Sequence, residues 1–289
     1  MNFAVNFRTM GNGFGFQELK SMSDSFAEDG NLMPVLFIGH GSPMNGIEDN
    51  EFSSGWENMA KEIPQPKAVI VVSAHWQTRG TQITAMDFPK TIHDFGGFPE
   101  ELYKVQYPAP GSPELARQTM SMIQSAAVEA NHDWGLDHGA WTVVRRMYPL
   151  ADIPVLQLSM DYTREPAFHH ALAKEMHHLR KKGILIIGSG NMVHNLRMVA
   201  WDKLNEPGFG YDWAHQMNHR FKTLIMKGDD QSLIRYEQLG MEARYAIPTP
   251  EHYLPLLYVV GLRKPGESIR FFNDKALGGS LTMTSVRVG

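Results

Sequence analysis

Three histidines of this chain follow short apolar stretches, at the positions where buried strands of an α/β protein would end. They are His40, His75 and His194, the last of them a few residues beyond its stretch. Because ligands bind beyond the carboxyl ends of the strands in an open α/β sheet, neighbouring parallel strands would bring these imidazoles together. Imidazole is a common ligand of zinc, iron, copper and nickel. The spacing therefore favours a metal site, although each histidine taken alone could be a loop residue with backbone partners.

Two further histidines could join this site. His252 lies at the start of a predicted helix, behind the segment Pro-Thr-Pro-Glu, and Glu251 is its immediate neighbour. His138 lies in the stretch Leu-Asp-His-Gly-Ala-Trp, just before another predicted helix. Because an imidazole titrates near neutral pH, His138 could act as a general acid or base or bind a substrate. The alternative is a loop histidine whose polar atoms the local backbone satisfies.

The other histidines are interpreted as structural. In the charged segment 165–182 we expect an exposed helical face that carries His169, His170, His177 and His178. The same interpretation covers His93, His132, His215 and His219. The last two are four residues apart and could chelate a metal on a helix. No motif of the type His-Glu-x-x-His supports that role.

Apolar runs alternate with helical patterns along the chain. Buried strands are predicted at residues 33–39, 67–74, 153–160 and 183–188. Helices are predicted at residues 51–62, 112–130, 165–182, 209–226, 231–239 and 252–261, and a terminal hairpin at 268–273 and 280–286. This alternation predicts an α/β fold in which helices flank a central, mainly parallel sheet. The metal site is then expected at the carboxyl ends of the strands.

The amino-acid composition argues against several classes of protein function. The 27 basic and 31 acidic residues give a net charge of −4, which argues against nucleic-acid binding and against a polybasic membrane-surface protein. No stretch reaches the ~20 apolar residues of a membrane span, and the N-terminal segment lacks a secretory apolar core, so we expect a cytoplasmic protein. The absence of cysteine excludes disulfides, thiolate metal sites and a cysteine nucleophile.

One domain is the simplest organisation of the 289 residues. We interpret residues 1–32 as an N-terminal extension and residues 33–289 as the catalytic domain. The stretch Gly-Ser-Gly-Asn at 188–191 resembles a phosphate-binding loop but lacks the glycine and lysine patterns of nucleotide sites, so we assign no nucleotide cofactor to it. Its glycines are expected to allow a tight turn that carries His194 into the site. Ser42 is outside a Gly-x-Ser-x-Gly motif, which argues against a serine hydrolase.

Seven motifs, taken in order, resemble those of one enzyme family. They are residues 39–44 (GHGSPM), 73–76 (SAHW), 95–103 (FGGFPEELY), 107–112 (YPAPGS), 136–141 (LDHGAW), 188–195 (GSGNMVHN) and 250–256 (PEHYLPL). Over residues 33–289 the chain resembles the class III extradiol ring-cleavage dioxygenases, and among them the 4,5-DOPA extradiol dioxygenase group. Seven motifs in sequence order make this resemblance specific.

The resemblance implies an enzyme that opens a catechol ring beside its two hydroxyls with O2 and a non-haem Fe(II) ion. It implies that His40, His75 and His252 bind the metal. His194 would be the active-site base, close enough to contact the metal as well. His138 would act on the substrate hydroxyl or on the oxygen. Such a reaction requires a redox-active metal with open positions and a base that takes a catechol proton.

The motif around residue 252 departs from the wider class, in which the third ligand is commonly a glutamate. Either Glu251 or His252 could ligate, and the narrower group favours His252. An all-histidine site also suits Zn(II), which has no redox chemistry. Two alternatives to a dioxygenase are therefore a zinc enzyme of non-redox type, such as a hydrolase, and a non-catalytic ligand-binding protein of the same fold.

The loop 92–111 is rich in glycine, proline and aromatic residues. Its aromatic side chains are Phe95, Phe98, Tyr103 and Tyr107. Long loops within a compact domain are usually functional. With the resemblance in view, we expect this loop to cover the site and to stack on an aromatic substrate ring, the alternative being a packed surface loop.

Overall fold

Fourteen strands are present in the structure, a computed structural model that describes residues 26–28, 30 and 32–289. They are β1 (Val35–Gly39), β2 (Ala68–Ser73), β3 (Gln77–Thr78), β4 (Thr81–Thr84), β5 (Lys90–Thr91), β6 (Val128–Asn131), β7 (Gly135–Leu136), β8 (Val155–Gln157), β9 (Met160–Asp161), β10 (Ile184–Gly190), β11 (Ile269–Phe272), β12 (Ala276–Leu277), β13 (Leu281–Thr282) and β14 (Ser285–Val288). Most of the predicted extension at residues 1–32 lies outside the described part of the chain.

A six-stranded sheet in the order β11-β14-β1-β10-β2-β8 forms the centre of the fold. The strands β1, β10, β2 and β8 run parallel to one another. At the other edge β14 and β11 are antiparallel and form the predicted terminal pair. The central, mainly parallel sheet is thus confirmed, and β1, β10 and β2 end side by side at one edge.

Ten α-helices surround this sheet in the described chain. They are α1 (Glu51–Glu62), α2 (Glu100–Tyr103), α3 (Pro113–Met122), α4 (His138–Met147), α5 (Pro166–Glu175), α6 (His177–Lys181), α7 (Asp212–Lys227), α8 (Asp230–Ile234), α9 (Met241–Ala246) and α10 (Leu254–Gly261). Short 3₁₀ turns occur at Pro43–Gly46, Leu196–Met198, Trp201–Lys203 and Tyr236–Leu239. None of these helices combines the length and the apolar character that a membrane crossing requires.

Two apolar cores lie on opposite faces of the sheet, because successive side chains of a strand point to opposite sides. In β1, Val35 and Phe37 belong to the core formed with α3 and α5–α10. Leu36 and Ile38 belong to the core formed with α1, α2 and α4. Strands that are buried on both faces read as unbroken apolar runs, which is why the sequence revealed them.

Two predicted helices are wrong in part. The helix predicted at 112–130 ends at Met122, and residues 128–131 form β6, which pairs in parallel with β4. The pairing with β4, a non-local contact, overrides the helical propensity of this segment. The helix predicted at 165–182 is divided at Met176 into α5 and α6.

The prediction that the histidines of α5 lie on an exposed helical face is also wrong. His169 and His170 are buried, because the helix packs against α10. A ring nitrogen of His169 lies 3.0 Å from the Tyr258 hydroxyl, and one of His170 lies 3.2 Å from the Asp230 carboxylate. Both histidines therefore lie in the core, each beside a polar partner from another helix or its cap.

Candidate active site

His40 lies directly after β1 and is 2% exposed. Its backbone N–H donates to the Gly190 carbonyl at 3.1 Å, which ties the end of β1 to the end of β10. The residues on either side of His40 in the sequence have to be small. A Cβ on Gly39 would lie 2.5 Å from the Met283 carbonyl oxygen, and Gly41 has φ of +59° in the left-handed region. The glycines of this motif thus allow His40 to leave the strand in a tight turn.

His75 follows β2, the neighbour of β10 in the sheet. Its backbone N–H donates to the Ser73 hydroxyl at 3.2 Å, which holds the turn after the strand. Its Nε2 lies 3.1 Å from Nε2 of His40. The sheet therefore brings together two of the histidines predicted at the strand ends.

His252 reaches the same edge from the segment before α10. Its carbonyl accepts a hydrogen bond from the Asn191 backbone at 2.8 Å. A Cβ on Gly190 would lie 2.1 Å from that carbonyl oxygen, and one on Gly188 would lie 2.3 Å from the Pro255 carbonyl oxygen. Both glycines belong to strand β10. The expectation that they form a turn is wrong, and their small size instead lets the chain around His252 lie against the strand.

His194 lies beyond the end of β10, and its backbone N–H donates to the Ala246 carbonyl at 2.8 Å. Its ring stacks on that of His252, with centroids 3.6 Å apart and planes 9° from parallel. The His252 ring is in turn 5.3 Å from that of His40 and 5.1 Å from that of His75. His194 thus lies at the outer side of His252 in the same group of rings.

His138 completes the group from the first turn of α4. Asp137 caps this helix by accepting a hydrogen bond from Ala140 N at 3.1 Å. The His138 ring lies 3.9 Å from that of His75 and 5.6 Å from that of His40. The possible ligand atoms of these three residues all lie within 4.8 Å of one another. The structure therefore gathers all five predicted site residues, His40, His75, His138, His194 and His252.

Hydrogen bonds decide which ring nitrogen of His40 carries its proton. The Ser189 hydroxyl lies 3.0 Å from Nδ1 of His40 and donates its one proton to the Gly139 carbonyl at 2.5 Å. In the contact with His40, Ser189 must therefore accept, and Nδ1 of His40 must donate. The lone pair of His40 is left on Nε2, the atom that faces His75.

Acidic side chains lie next to Nδ1 of three other rings, those of His75, His138 and His252. The Asp94 carboxylate lies 3.0 Å from Nδ1 of His138 and 3.4 Å from Nδ1 of His75. The Glu251 carboxylate lies 3.3 Å from Nδ1 of His252 and accepts from the Thr249 hydroxyl at 2.7 Å. Histidine ligands of metals commonly donate their second nitrogen to such partners. The sequence analysis missed Asp94, and its place directly before the Phe-Gly-Gly-Phe motif was the signal that could have found it.

Burial keeps four imidazoles of the site neutral by lowering their pKa, namely those of His40, His75, His194 and His252. Burial, followed by the neighbouring imidazoles, holds the pKa of His40 and of His252 well below the usual value. Burial and then His138 lower the pKa of His75 to about 3, although Asp94 acts in the opposite direction. Burial lowers the pKa of His194 to about 4.

Nε2 of His40, which carries a lone pair, and Nε2 of His75 lie 3.1 Å apart, so one cation could bind both nitrogens. The nitrogen-only donor set of a cysteine-free chain suits iron and zinc. The site of His40 and His75 therefore fits a divalent transition-metal ion.

An aromatic wall stands beside His138, and it consists of Phe95, Phe98, Tyr103 and Trp141. The Phe95 ring lies 5.7 Å from that of His138 and 5.4 Å from that of Phe98. It also lies 5.2 Å from Tyr103. The loop 92–111 thus places aromatic rings next to the histidines, where a flat aromatic molecule could pack.

Known proteins are similar to this chain in both sequence and fold. The family described as the catalytic LigB subunit of aromatic ring-opening dioxygenase matches residues 34–273. The chain is 46% identical over 262 residues to a 4,5-DOPA dioxygenase extradiol of Escherichia coli (strain K12), covering 89% of this chain and 95% of that protein. It is 34% identical over 265 residues to a 4,5-DOPA dioxygenase extradiol of Beta vulgaris, covering 89% and 97%. The crystal structure of an uncharacterized protein from Escherichia coli K12 matches with a TM-score of 0.77 and 40% identity, covering 89% of this chain and 100% of that one.

Proposed function

The chain belongs to the family of the catalytic LigB subunit of aromatic ring-opening dioxygenases, and we propose that it cleaves a DOPA-like catechol with O2 and a divalent metal ion. Extradiol ring opening is the activity class of its relatives from Escherichia coli and Beta vulgaris. The observation that carries the proposal is the convergence of five histidine rings beside an aromatic wall, with Nε2 of His40 3.1 Å from Nε2 of His75. We place this activity in the domain of residues 33–289.

We propose that His40, His75 and His252 hold the metal. The rings of His40 and His75 lie at nearly equal distances from that of His252, at 5.3 and 5.1 Å. His138 is also within ligand distance of the first two, but its ring packs against Phe95, which places it beside the substrate. The Glu251 carboxylate faces Nδ1 of His252 and is assigned to orient that ring.

The metal we propose for activity is Fe(II). When bound, it would supply the electron exchange between a catechol and O2 that no side chain of the protein can provide. Zn(II) fits the same nitrogen donors but has no redox chemistry, so we expect a zinc-loaded protein to be inactive.

His194 is proposed as the base that takes a proton from a catechol hydroxyl. Its pKa of about 4, lowered by burial, leaves the ring unprotonated and able to accept a proton at neutral pH. Its stacked position on His252 places it at the edge of the metal ligands, where it could also contact the metal. His138, on the opposite side near His75, is proposed to handle the second hydroxyl or the oxygen.

The aromatic wall is proposed to hold the ring of the substrate. A catechol ring placed between Phe95 and the histidines would present its two hydroxyls toward His138 and His194. Aromatic pairs of this kind contribute about 0.5–1.5 kcal/mol beyond the area they bury. Closing the site with Phe95 and Phe98 would also exclude water from the charged intermediates of the reaction.

The experiment that tests the proposal loads metal-free protein with Fe(II) under anaerobic conditions and then adds L-DOPA and air. A yellow ring-opened semialdehyde is expected with iron, and none with a matched zinc-loaded sample. If iron yields no product across a panel of catechols, the proposal is wrong. A non-redox zinc enzyme or a ligand-binding protein would then be the better explanation of the histidine cluster.

A further inference from the structure

Asp94 lies in the loop between β5 and α2, and its side chain is 18% exposed. One carboxylate oxygen accepts a hydrogen bond from the backbone N–H of His138 at 2.8 Å. The other lies 3.0 Å from Nδ1 of His138 and 3.4 Å from Nδ1 of His75. A single carboxylate thus contacts two site histidines that belong to different elements of the fold.

The number of donors around Asp94 matters for its role. Two N–H groups of His138 donate to its two oxygens, and Nδ1 of His75 lies at the longer distance of 3.4 Å from one of them. A carboxylate has about four lone-pair sites for such neighbours. A side chain with a single acceptor oxygen could not satisfy the same donors.

We propose that Asp94 is a positioning residue that keeps His75 and His138 protonated on Nδ1, so that both present an Nε2 lone pair to the metal site. This inference rests on the proposed function, because it concerns the same metal site. Asp94 also precedes Phe95, so the loop that carries the aromatic wall carries the group that orients the histidines. Placement of the wall and orientation of the two imidazoles are therefore coupled.

A purely structural role would need only the backbone bond from His138, which anchors the loop. Asp94→Asn separates the two roles. Its amide oxygen can keep the backbone bond, but its NH2 group then faces the two Nδ1 atoms as a donor. Both rings must then accept at Nδ1 and carry their proton on Nε2, which removes the lone pair from the metal side. Asp94→Glu restores a carboxylate, and Asp87→Asn, at an exposed position just before β5, is the control.

The first measurement is the tautomer of each ring in the metal-free protein, by long-range ¹H–¹⁵N correlation spectra of histidine-labelled samples. The variants His75→Gln and His138→Gln assign the signals. The wild type and Asp87→Asn should show Nδ1–H for both rings, and Asp94→Asn should show Nε2–H. A wild-type spectrum with Nε2–H on either ring overturns the inference even if the variant does not fold.

The second measurement is Zn(II) affinity by competition with a chelator. Loss of a partner that orients a metal ligand typically weakens affinity about 10–100-fold, and we expect that loss for Asp94→Asn with recovery in Asp94→Glu. Unchanged tautomers and affinity in folded Asp94→Asn overturn the inference. Neither readout uses substrate or O2. A wild-type iron enzyme that fails to cleave catechols would therefore refute the proposed function and leave this inference standing.

Discussion

The ring of His194 lies flat on the ring of His252, with centroids 3.6 Å apart. Two imidazolium cations could not share this contact, and burial lowers the pKa of both rings. At neutral pH the pair is therefore uncharged, and each ring has an unprotonated nitrogen. The contact joins the residue proposed as a base to a residue proposed as a metal ligand.

Substitutions around residue 252 test which side chain is the third ligand. We expect His252→Gln to lose bound metal, since it removes an imidazole from the cluster. Glu251→Gln should retain metal with an affinity lowered by about 10–100-fold, since it changes only the partner of the ligand. His138→Gln should retain metal. Elemental analysis after dialysis measures the metal content of each variant.

The exposed His132 offers the control for these variants, and His132→Gln should bind metal as the wild type does. Full metal occupancy in His252→Gln, together with loss in Glu251→Gln, would make Glu251 the ligand instead. Similarly, His40→Ala and His75→Ala should lose metal, and full occupancy in either would contradict its assignment.

His194→Ala should abolish turnover and leave metal bound. Loss of general base catalysis typically lowers kcat about 10²–10⁴-fold. Anaerobic iron loading followed by single-turnover kinetics with L-DOPA measures the chemical step, and iron analysis measures occupancy. Normal ring cleavage by this variant would exclude the base role, whereas loss of iron would show that His194 is itself a ligand.

Phe95→Ala should weaken catechol binding. Removal of an aromatic contact worth about 0.5–1.5 kcal/mol corresponds to a rise in KM of roughly 2–10-fold. Phe88→Ala is the control, because Phe88 is an aromatic residue that lies before β5, outside the loop of the wall, and is 84% exposed. Steady-state kinetics that show equal KM values for both variants would argue that the wall does not contact the substrate.

Gly190→Ala should displace His252. The added methyl group would lie 2.1 Å from the His252 carbonyl oxygen, a contact between backbone and Cβ that the chain can relieve only by moving apart. We expect a lower melting temperature and weaker metal binding. Gly96→Ala is the matched control, since a Cβ at Gly96 meets open space. Wild-type metal affinity in folded Gly190→Ala would mean that the approach of His252 to β10 does not position the ligand.

The stability of the metal-free protein should fall as the pH decreases from about 6.5 toward 4. The pKa of His75 is about 3 and that of His194 about 4 in the folded state, in each case chiefly through burial. An unfolded histidine titrates near 6.5, so below that pH the unfolded chain binds protons that the folded protein does not. This difference in proton binding favours unfolding at low pH. The stabilisation that the neutral imidazoles of the folded state provide is fully present only above pH 6.5.

Thermal unfolding of metal-free protein between pH 7 and pH 4 measures this dependence. A variant with both His75→Gln and His194→Gln should lose less stability over the same range, because it lacks two of the responsible groups. A melting temperature that rises on acidification would contradict the assignment of these rings as neutral in the folded state.

The sequence by itself determined the class of fold and most of the residues at the site. Strands buried on both faces are continuous apolar runs, so β1, β2 and β10 could be recognised. The carboxyl ends of adjacent parallel strands meet at one edge, which is why His40 and His75 could be predicted to lie together. The predicted helix 51–62 has the bounds of α1, since Asn50 and Ser53 form a capping box that local sequence specifies.

Only the tertiary structure decided how the remaining groups reach that edge. The contact of Asp94 with His75 and His138 joins two loops and the start of α4, and no local sequence pattern predicts contacts between such separate elements. The burial of His169 against α10 and the pairing of β6 with β4 have the same origin. Local periodicity specifies which face of an element is apolar, but long-range packing selects its partner, and that choice orients the imidazoles of the site.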